Sequence, residues 1–188
     1  MTRIIAGRHG GRQIKTPKGD GTRPTSDRVR EAMFSSIESE LGGLDGIAVL
    51  DLFAGSGALG IEAISRGARH AVFVEAHGQA ASVITGNLRA LGAEGVVERS
   101  KAERWVEEGD RDVFDLVLID PPYAVPTTAV TALVAAVHES FAHDDTLFVV
   151  ERATRDPFVW PDGVEGLRTK KYGETTVWFG RPAVRSQA

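Results

Sequence analysis

Cysteine is absent from this chain, which excludes disulfides, thiolate metal sites and cysteine nucleophiles. Long apolar runs are absent as well. None approaches the roughly 18 residues of a membrane span, and the opening MTRIIAGRHGG holds only a short apolar patch without a signal-peptide core. Histidine is sparse, and His9, His70, His77, His138 and His143 show no metal-ligand spacing, so no metal is expected. Aromatic residues make up only 7%, and Trp105, Trp160 and Trp178 read as core or rim packing rather than stacking platforms. A cytoplasmic protein with no membrane partner is the expectation, with a monomer as the default.

What is present has the balance of one folded domain: 188 residues, 42% of them hydrophobic and 26% charged. The net charge of -4 is unevenly spread. Residues 1–30 hold eight cations against Asp20 and Asp27, a net of +6, so residues 31–188 carry -10. A basic leader on an acidic body suits a polyanionic partner. We divide the chain into a basic arm, 1–24, and a main domain, 25–188, that includes a linking helix.

In the arm, Arg3 to Ala6 and Arg12 to Lys15 read as short strands around a Gly10-Gly11 turn. The stretch PTSDRVREAMFSSIESELGG predicts a helix capped by Thr25 or Ser26 and stopped by Gly42-Gly43. Val29, Met33, Ile37 and Leu41 would be its apolar face. From residue 45 onward, strand-like runs (47–53, 71–75, 96–99, 114–120 and 146–151) alternate with helical stretches (58–66, 78–91, 101–107 and 127–140). That alternation predicts an α/β fold with a mostly parallel sheet covered on both faces. LRTKKYGETTVWFG predicts a closing antiparallel hairpin around Gly173.

The first core strand runs into DLFAGSGALGIEA, where Gly55, Gly57 and Gly60 satisfy G-x-G-x-x-G and Glu75 ends the next strand. Such a loop brings backbone close to a ligand, and the following acid can bind ribose hydroxyls; NAD, FAD and S-adenosylmethionine all fit. Asp51 leans the choice toward S-adenosylmethionine, because a carboxylate repels a pyrophosphate but not an amino or sulfonium group. A structural acid capping the loop remains the alternative.

The run VLIDPPY ends the fourth core strand, which a doubly wound order sets beside the first. Prolines end strands for backbone reasons alone, yet these residues also suit transfer to a conjugated exocyclic amine. Asp120 and the carbonyl of Pro121 can accept its two N–H bonds, Pro122 stiffens the loop, and Tyr123 can stack on a flipped-out base.

DPPY belongs to the [DNS]-P-P-[YFW] pattern of amino-methyltransferases. Together with RIIAG, RPTSDRVREAMF and DLFAGSGALGIEAISRGA, in this order over about residues 3–180, it resembles the RsmD family of bacterial small-subunit rRNA methyltransferases. The resemblance implies a Rossmann-like class I methyltransferase: a mostly parallel seven-stranded sheet, a C-terminal antiparallel hairpin and a small N-terminal extension. It implies methylation of guanine N2 at position 966 of 16S rRNA, with S-adenosylmethionine as donor and rRNA or the small ribosomal subunit as partner. Carried over, Asp51, Phe53, Gly55, Gly57 and Ala102 would line the donor pocket, Glu75 would bind ribose, and Arg23 and Thr25 would close over the donor. Asp120, Pro121, Pro122 and Tyr123 would be catalytic. Ser100-Lys101 stands where many relatives carry an acid or amide before the alanine, so an adenine contact falls to Ala102 and nearby backbone.

Base methylation requires a grip on flanking backbone. Arg3, Arg8, Arg12, Lys15 and Lys18 in the arm, Arg28 beyond it, and Lys170 and Lys171 in the closing hairpin are the candidate RNA contacts. Rival readings are a DNA adenine-N6 methyltransferase and, further off, an NAD-dependent oxidoreductase.

Overall fold

The computed structural model describes residues 1–19, 26–110 and 112–184. Two short strands, β1 (Thr2–Arg3) and β2 (Gln13–Ile14), pair antiparallel, and the Ile4 N–H donates to the Arg12 carbonyl at 2.9 Å. Helix α1 (Asp27–Leu41) starts where Ser26 Oγ accepts the Val29 N–H at 3.2 Å and ends at a left-handed Gly42. Its buried stripe is Arg30, Met33, Phe34 and Ile37. This turns the helix away from the expected face, since Val29 and Leu41 are only half-buried. Arg30 tolerates burial because its Nη2 donates to the Arg3 carbonyl at 2.7 Å and to Asp27 at 2.8 Å.

The core then alternates as expected: β3 (Ala48–Leu52), α2 (Ala58–Ser65), β4 (His70–Val74), α3 (Gly78–Leu91), β5 (Val96–Glu98), α4 (Ala102–Glu108), β6 (Phe114–Ile119), α5 (Thr127–Phe141) and β7 (Ala142–Ala153). A hairpin of β8 (Val164–Tyr172) and β9 (Thr175–Pro182) closes the chain. The seven-stranded sheet has the order β5-β4-β3-β6-β7-β9-β8, parallel except where β9 runs antiparallel between β7 and β8. Strand β7 is longer than the expected 146–151 at both ends: it starts at Ala142, which pairs with Phe114 of β6, and Arg152 and Ala153 continue the ladder onto β9. The chain winds outward from β3 to β5 and then returns to place β6 on the other side of β3. That reversal puts the topological switch between β3 and β6, where ligands bind at the carboxyl ends of the strands.

One face of the sheet packs on α1, α2 and α3 through residues such as Phe34, Ile61, Phe73, Leu118 and Val149; the other packs on α4 and α5 through Leu50, Ile119, Val134 and Val150. No helix among the described residues is long and apolar enough to cross a membrane.

The arm is packed into this core rather than hung from it. Ile4 and Ile14 are buried within the α1–α3 layer. The fully buried Glu62 of α2 accepts the N–H groups of Ile5 at 2.9 Å and Ala6 at 3.1 Å, and it pairs with Arg66 at 2.9 Å. Gly7 crosses α2 so closely that a Cβ there would lie 1.9 Å from the Ser65 carbonyl oxygen. Further along, Asn87 of α3 accepts the Lys15 N–H, donates to the Lys15 carbonyl (both 2.9 Å), and donates to the Ser56 carbonyl at 3.1 Å. Deleting the arm would therefore uncover buried polar groups and disturb the glycine loop. Glu62→Ala leaves the Arg66 Nε and two backbone N–H groups without their acceptor, with Glu38 still paired to Arg66. It is expected to cost about 3–5 kcal/mol in a chemical denaturation experiment, whereas Glu31→Ala on the exposed face of α1 should change stability by no more than about 0.5 kcal/mol.

Candidate active site

Strand β3 delivers Asp51 and Leu52 to the switch point, and the chain then turns sharply. Phe53 has φ 57°, the only non-glycine residue with positive φ among the described residues, a conformation that stores about 1–3 kcal/mol. The turn is held from β4: the Ala54 N–H donates to the Val74 carbonyl at 3.0 Å, and the Gly55 N–H donates to Glu75 Oε2 at 2.8 Å. The other Glu75 oxygen accepts the His77 N–H at 3.0 Å. Glu75 thus fixes the glycine loop, and both its oxygens retain acceptor capacity.

Asp51 is almost fully buried, and its Oδ2 accepts the Gly60 N–H at 3.0 Å, inside the first turn of α2. A Cβ on Gly60 would lie 2.3 Å from the Phe73 ring and 3.1 Å from that same oxygen, so glycine is what lets the carboxylate reach the helix. The capping role weighed as an alternative for Asp51 is real for one of its oxygens. Burial, with the neighbouring charges of Asp120 and Glu75, pushes Asp51 up to about 8.

Strand β6 lies beside β3 with Asp51 opposite Leu118 and Leu52 opposite Ile119, so Asp120 comes up next to Asp51 as the doubly wound order required. Asp120 is partly exposed, Pro121 is buried, and Pro122 and Tyr123 are exposed. Tyr123 presents 48% of its surface to solvent while its hydroxyl sits 3.3 Å from Thr175 Oγ1 on β9, so the ring is held but uncovered. The loop leaves through Val125, whose N–H donates to the Pro122 carbonyl at 3.0 Å. Arg152 of β7, fully buried, donates to the Val125 carbonyl at 2.7 Å and to Asp156 at 2.9 Å. Asp156 also accepts from Thr127 at the start of α5 at 2.7 Å. Burial raises Asp120 to about 6, against the opposing pull of a hydrogen bond from Glu151 and the charge of Arg152.

Strand alternation places Glu75, Asp51, Asp120 and Glu151 on one face of the sheet, at the carboxyl ends of the adjacent strands β4, β3, β6 and β7. Glu151 and Arg152 were not among the residues singled out from sequence. The signal was there for Glu151: it ends the fifth strand-like run of the core, 146–151, as Asp120 ends the fourth. The segment before Ala102 is tied to the end of β4, because the Ser100 N–H donates to the Glu75 carbonyl at 3.2 Å and α4 begins two residues later. Lys101 is exposed, and Ala102 is buried. Arg23 and Thr25 lie outside the described residues. No group of three or more His, Asp or Glu residues able to hold a metal ion occurs among the described residues.

The candidate RNA contacts are dispersed. Arg3 is paired to Asp27 at 2.7 Å. Arg12 donates to the Ala90 carbonyl near the end of α3, and the backbone around Arg8 and His9 is bonded to Ser65 at the end of α2. Those helix ends lie at the edge of the sheet opposite the switch point. His9 is lowered from its ordinary value by burial and by the charges of Arg8 and Arg12. Lys15 is tied through Asn87 to the glycine loop, while Lys18 and Arg28 are exposed. On β8, Lys171 is exposed and Lys170 half-buried, and their neighbour Arg168 is paired to Glu40 at 2.7 Å.

A Rossmann-like sheet with this strand order and closing hairpin, carrying a glycine loop beside an Asp-Pro-Pro-Tyr strand end, defines a class I methyltransferase fold. The family described as Conserved hypothetical protein 95 matches residues 2–181, and the chain belongs to it, the RsmD family. It is 37% identical to YlbH of Bacillus subtilis over 93% of this chain and 96% of the relative. It is 31% identical to ribosomal RNA small subunit methyltransferase D of Haemophilus influenzae, over 91% of this chain and 89% of the relative. The solved structure of yhhF from Escherichia coli superposes with a TM-score of 0.82 at 27% identity, covering 97% of this chain and 98% of that one.

Proposed function

We propose that this protein transfers a methyl group from S-adenosylmethionine to the exocyclic N2 of a guanine in 16S rRNA of the small ribosomal subunit. The observation that carries the reading is the adjacency of Asp120-Pro121-Pro122-Tyr123 to the Asp51 glycine loop across the switch point. The kinship with ribosomal RNA small subunit methyltransferase D supplies the nucleic acid.

The residues fit the donor. A row of four carboxyl groups suits a ligand with an amino group and a sulfonium, and Glu75 has acceptor capacity left for ribose hydroxyls. The same row argues against a dinucleotide, because a pyrophosphate would sit at the N-terminus of α2, where the Asp51 carboxyl already takes a backbone N–H. When bound, S-adenosylmethionine supplies an electrophilic methyl group. The protein's part is to hold the base. Asp120 and the Pro121 carbonyl accept the two N–H bonds of the amine and turn its lone pair toward the donor. Tyr123 stacks on the extruded base, and the buried Arg152 holds the loop exit so that these acceptors are in place beforehand. Lys15, Lys18, Arg28, Lys170 and Lys171 are the proposed phosphate contacts; Lys15 is tied through Asn87 to the glycine loop, and Lys171 stands on β8 opposite Thr176, next to the Thr175 that meets Tyr123.

The test is to incubate labelled donor with small subunits, naked 16S rRNA and duplex DNA, then to identify the modified nucleoside by mass spectrometry. Label in rRNA as N2-methylguanosine is expected. Label in DNA as N6-methyladenine would replace this reading with the adenine one, and no label in any substrate would remove it.

A further inference from the structure

Asp120 has a partner that the proposed chemistry does not yet use. Ile119 stands opposite Val150 in the parallel β6–β7 ladder, so Asp120 and Glu151 are the next pair up on the same face. Glu151 is 8% exposed, and its carboxyl lies close enough to that of Asp120 for a hydrogen bond between them to pull Asp120 down. A hydrogen bond between two carboxyl groups requires one of them to carry a proton. The charged groups around the pair are Asp51 on β3 and, beyond it, Glu75 on β4, with Arg152 on β7 itself. From the elements packed on this face come Arg30 with Asp27 on α1 and Tyr172 on β8, whose phenol is raised by burial. Among these, Arg152 draws negative charge toward Asp120 and already has Asp156 as its own ion partner.

We propose that Glu151 is a positioning residue for methyl transfer, holding the proton of the pair and donating it to an ionised Asp120. This inference rests on the proposed methylation of an exocyclic amine. One Asp120 oxygen is then oriented by Glu151, and the other faces the amine as an acceptor. The pair carries a single negative charge. When the new N–C bond forms and the donor's S–C bond breaks, the nitrogen bears a positive charge and releases one N–H proton to Asp120. The pair becomes neutral and passes the proton to solvent. Ionising Glu151 as well would place two negative charges side by side and remove the donor that orients Asp120.

Two readouts separate this from a purely structural role. In the protein without donor or RNA, ¹³C carboxyl NMR should show Asp120 titrating in two linked steps. In Glu151→Gln, whose amide still donates but cannot ionise, a single step should remain. With donor saturating, turnover on rRNA should fall on the alkaline side in the wild type, and Glu151→Gln should remain active there within about tenfold of the wild-type maximum. Glu151→Ala should lose about tenfold or more in turnover with an unchanged KM for donor. A single-step titration of Asp120 in the wild type, or superimposable pH profiles for wild type and Glu151→Gln, would overturn the inference. If the wild type methylates no rRNA, the functional reading fails instead, while the NMR titration still decides whether Glu151 and Asp120 share a proton.

Discussion

Asp120→Ala is expected to lower turnover by about 10²–10³-fold, the loss seen when one positioned hydrogen-bond partner of a reacting group is removed. Donor affinity should change little, because Gly55, Gly60 and Glu75 are held by bonds that do not involve Asp120. Turnover within about tenfold of wild type, roughly 1.4 kcal/mol, would contradict the role. The pH dependence sharpens the test. Asp120 is raised to about 6, so below that pH it is increasingly protonated and loses its acceptor. Wild-type turnover should therefore fall as pH drops through 6, by up to about tenfold per unit. Asp120→Asn retains a carbonyl acceptor and cannot protonate in this range; it should be partly active and should lack that acid limb.

The adjacency on which this prediction depends was legible because it follows from topology. Alternating strands and helices imply right-handed crossovers, and two acids that end the first and fourth strands must then meet at the switch. Helix α3 has the bounds that the sequence predicts, Gly78–Leu91, since it begins after a tight turn from β4 and ends at a left-handed Gly92. Local rules were less informative where tertiary contacts decide. The face of α1 turned because Arg30, a charged residue, is buried by the carbonyl of Arg3, which is 27 residues away. The arm reads as a basic leader, yet its backbone satisfies a buried glutamate. That glutamate lies in ALGIEAIS, a helix buried from Leu59 to Ser65. A helix apolar on all sides must be covered on all sides, and a lone acid within it needs donors from whatever covers it. Both facts are in the sequence. The identity of the covering segment is not, because hydrogen bonds spanning 56 and 57 residues leave no periodic trace.

The arm's packing also changes how RNA binding must be probed. Charge, not chain, has to be removed: Lys15 and Lys18 contribute ammonium groups, while the Lys15 backbone is part of the clamp that steadies Ser56 in the glycine loop. Substituting the side chains leaves that clamp intact. Arg8 and Arg12 lie at the far ends of α2 and α3, for Arg8 about one helix length or 12 Å from the switch-point edge, given the eight residues of α2. They can reach only RNA that runs along the arm. The basic character visible in the first 30 residues therefore separates into a structural part, in which Arg3 and Arg30 share Asp27, and a part open to phosphate.

Donor affinity is expected to rise steeply with pH between 5 and 7, by up to about tenfold per unit, and Asp51 is the cause. Its carboxyl is raised from an ordinary value of 3.8 to about 8, so in the empty site it is protonated across this range. A donor with an amino group and a sulfonium favours the ionised form, and binding must then expel a proton. Calorimetry at pH 6.5 in two buffers of different ionisation enthalpy should show close to one proton released. Asp51→Asn should abolish the release and flatten the pH dependence, while Asp120→Asn should leave most of it in place. Stability moves the other way. Because the folded state holds a proton that the unfolded chain gives up near 3.8, the contribution of Asp51 is full below that pH and is lost as pH rises through about 8. Unfolding of the empty protein should thus become easier between pH 5 and 8, and saturating donor should offset the change. Donor binding without proton release, together with a pH-independent affinity, would mean that Asp51 serves only as the cap of α2.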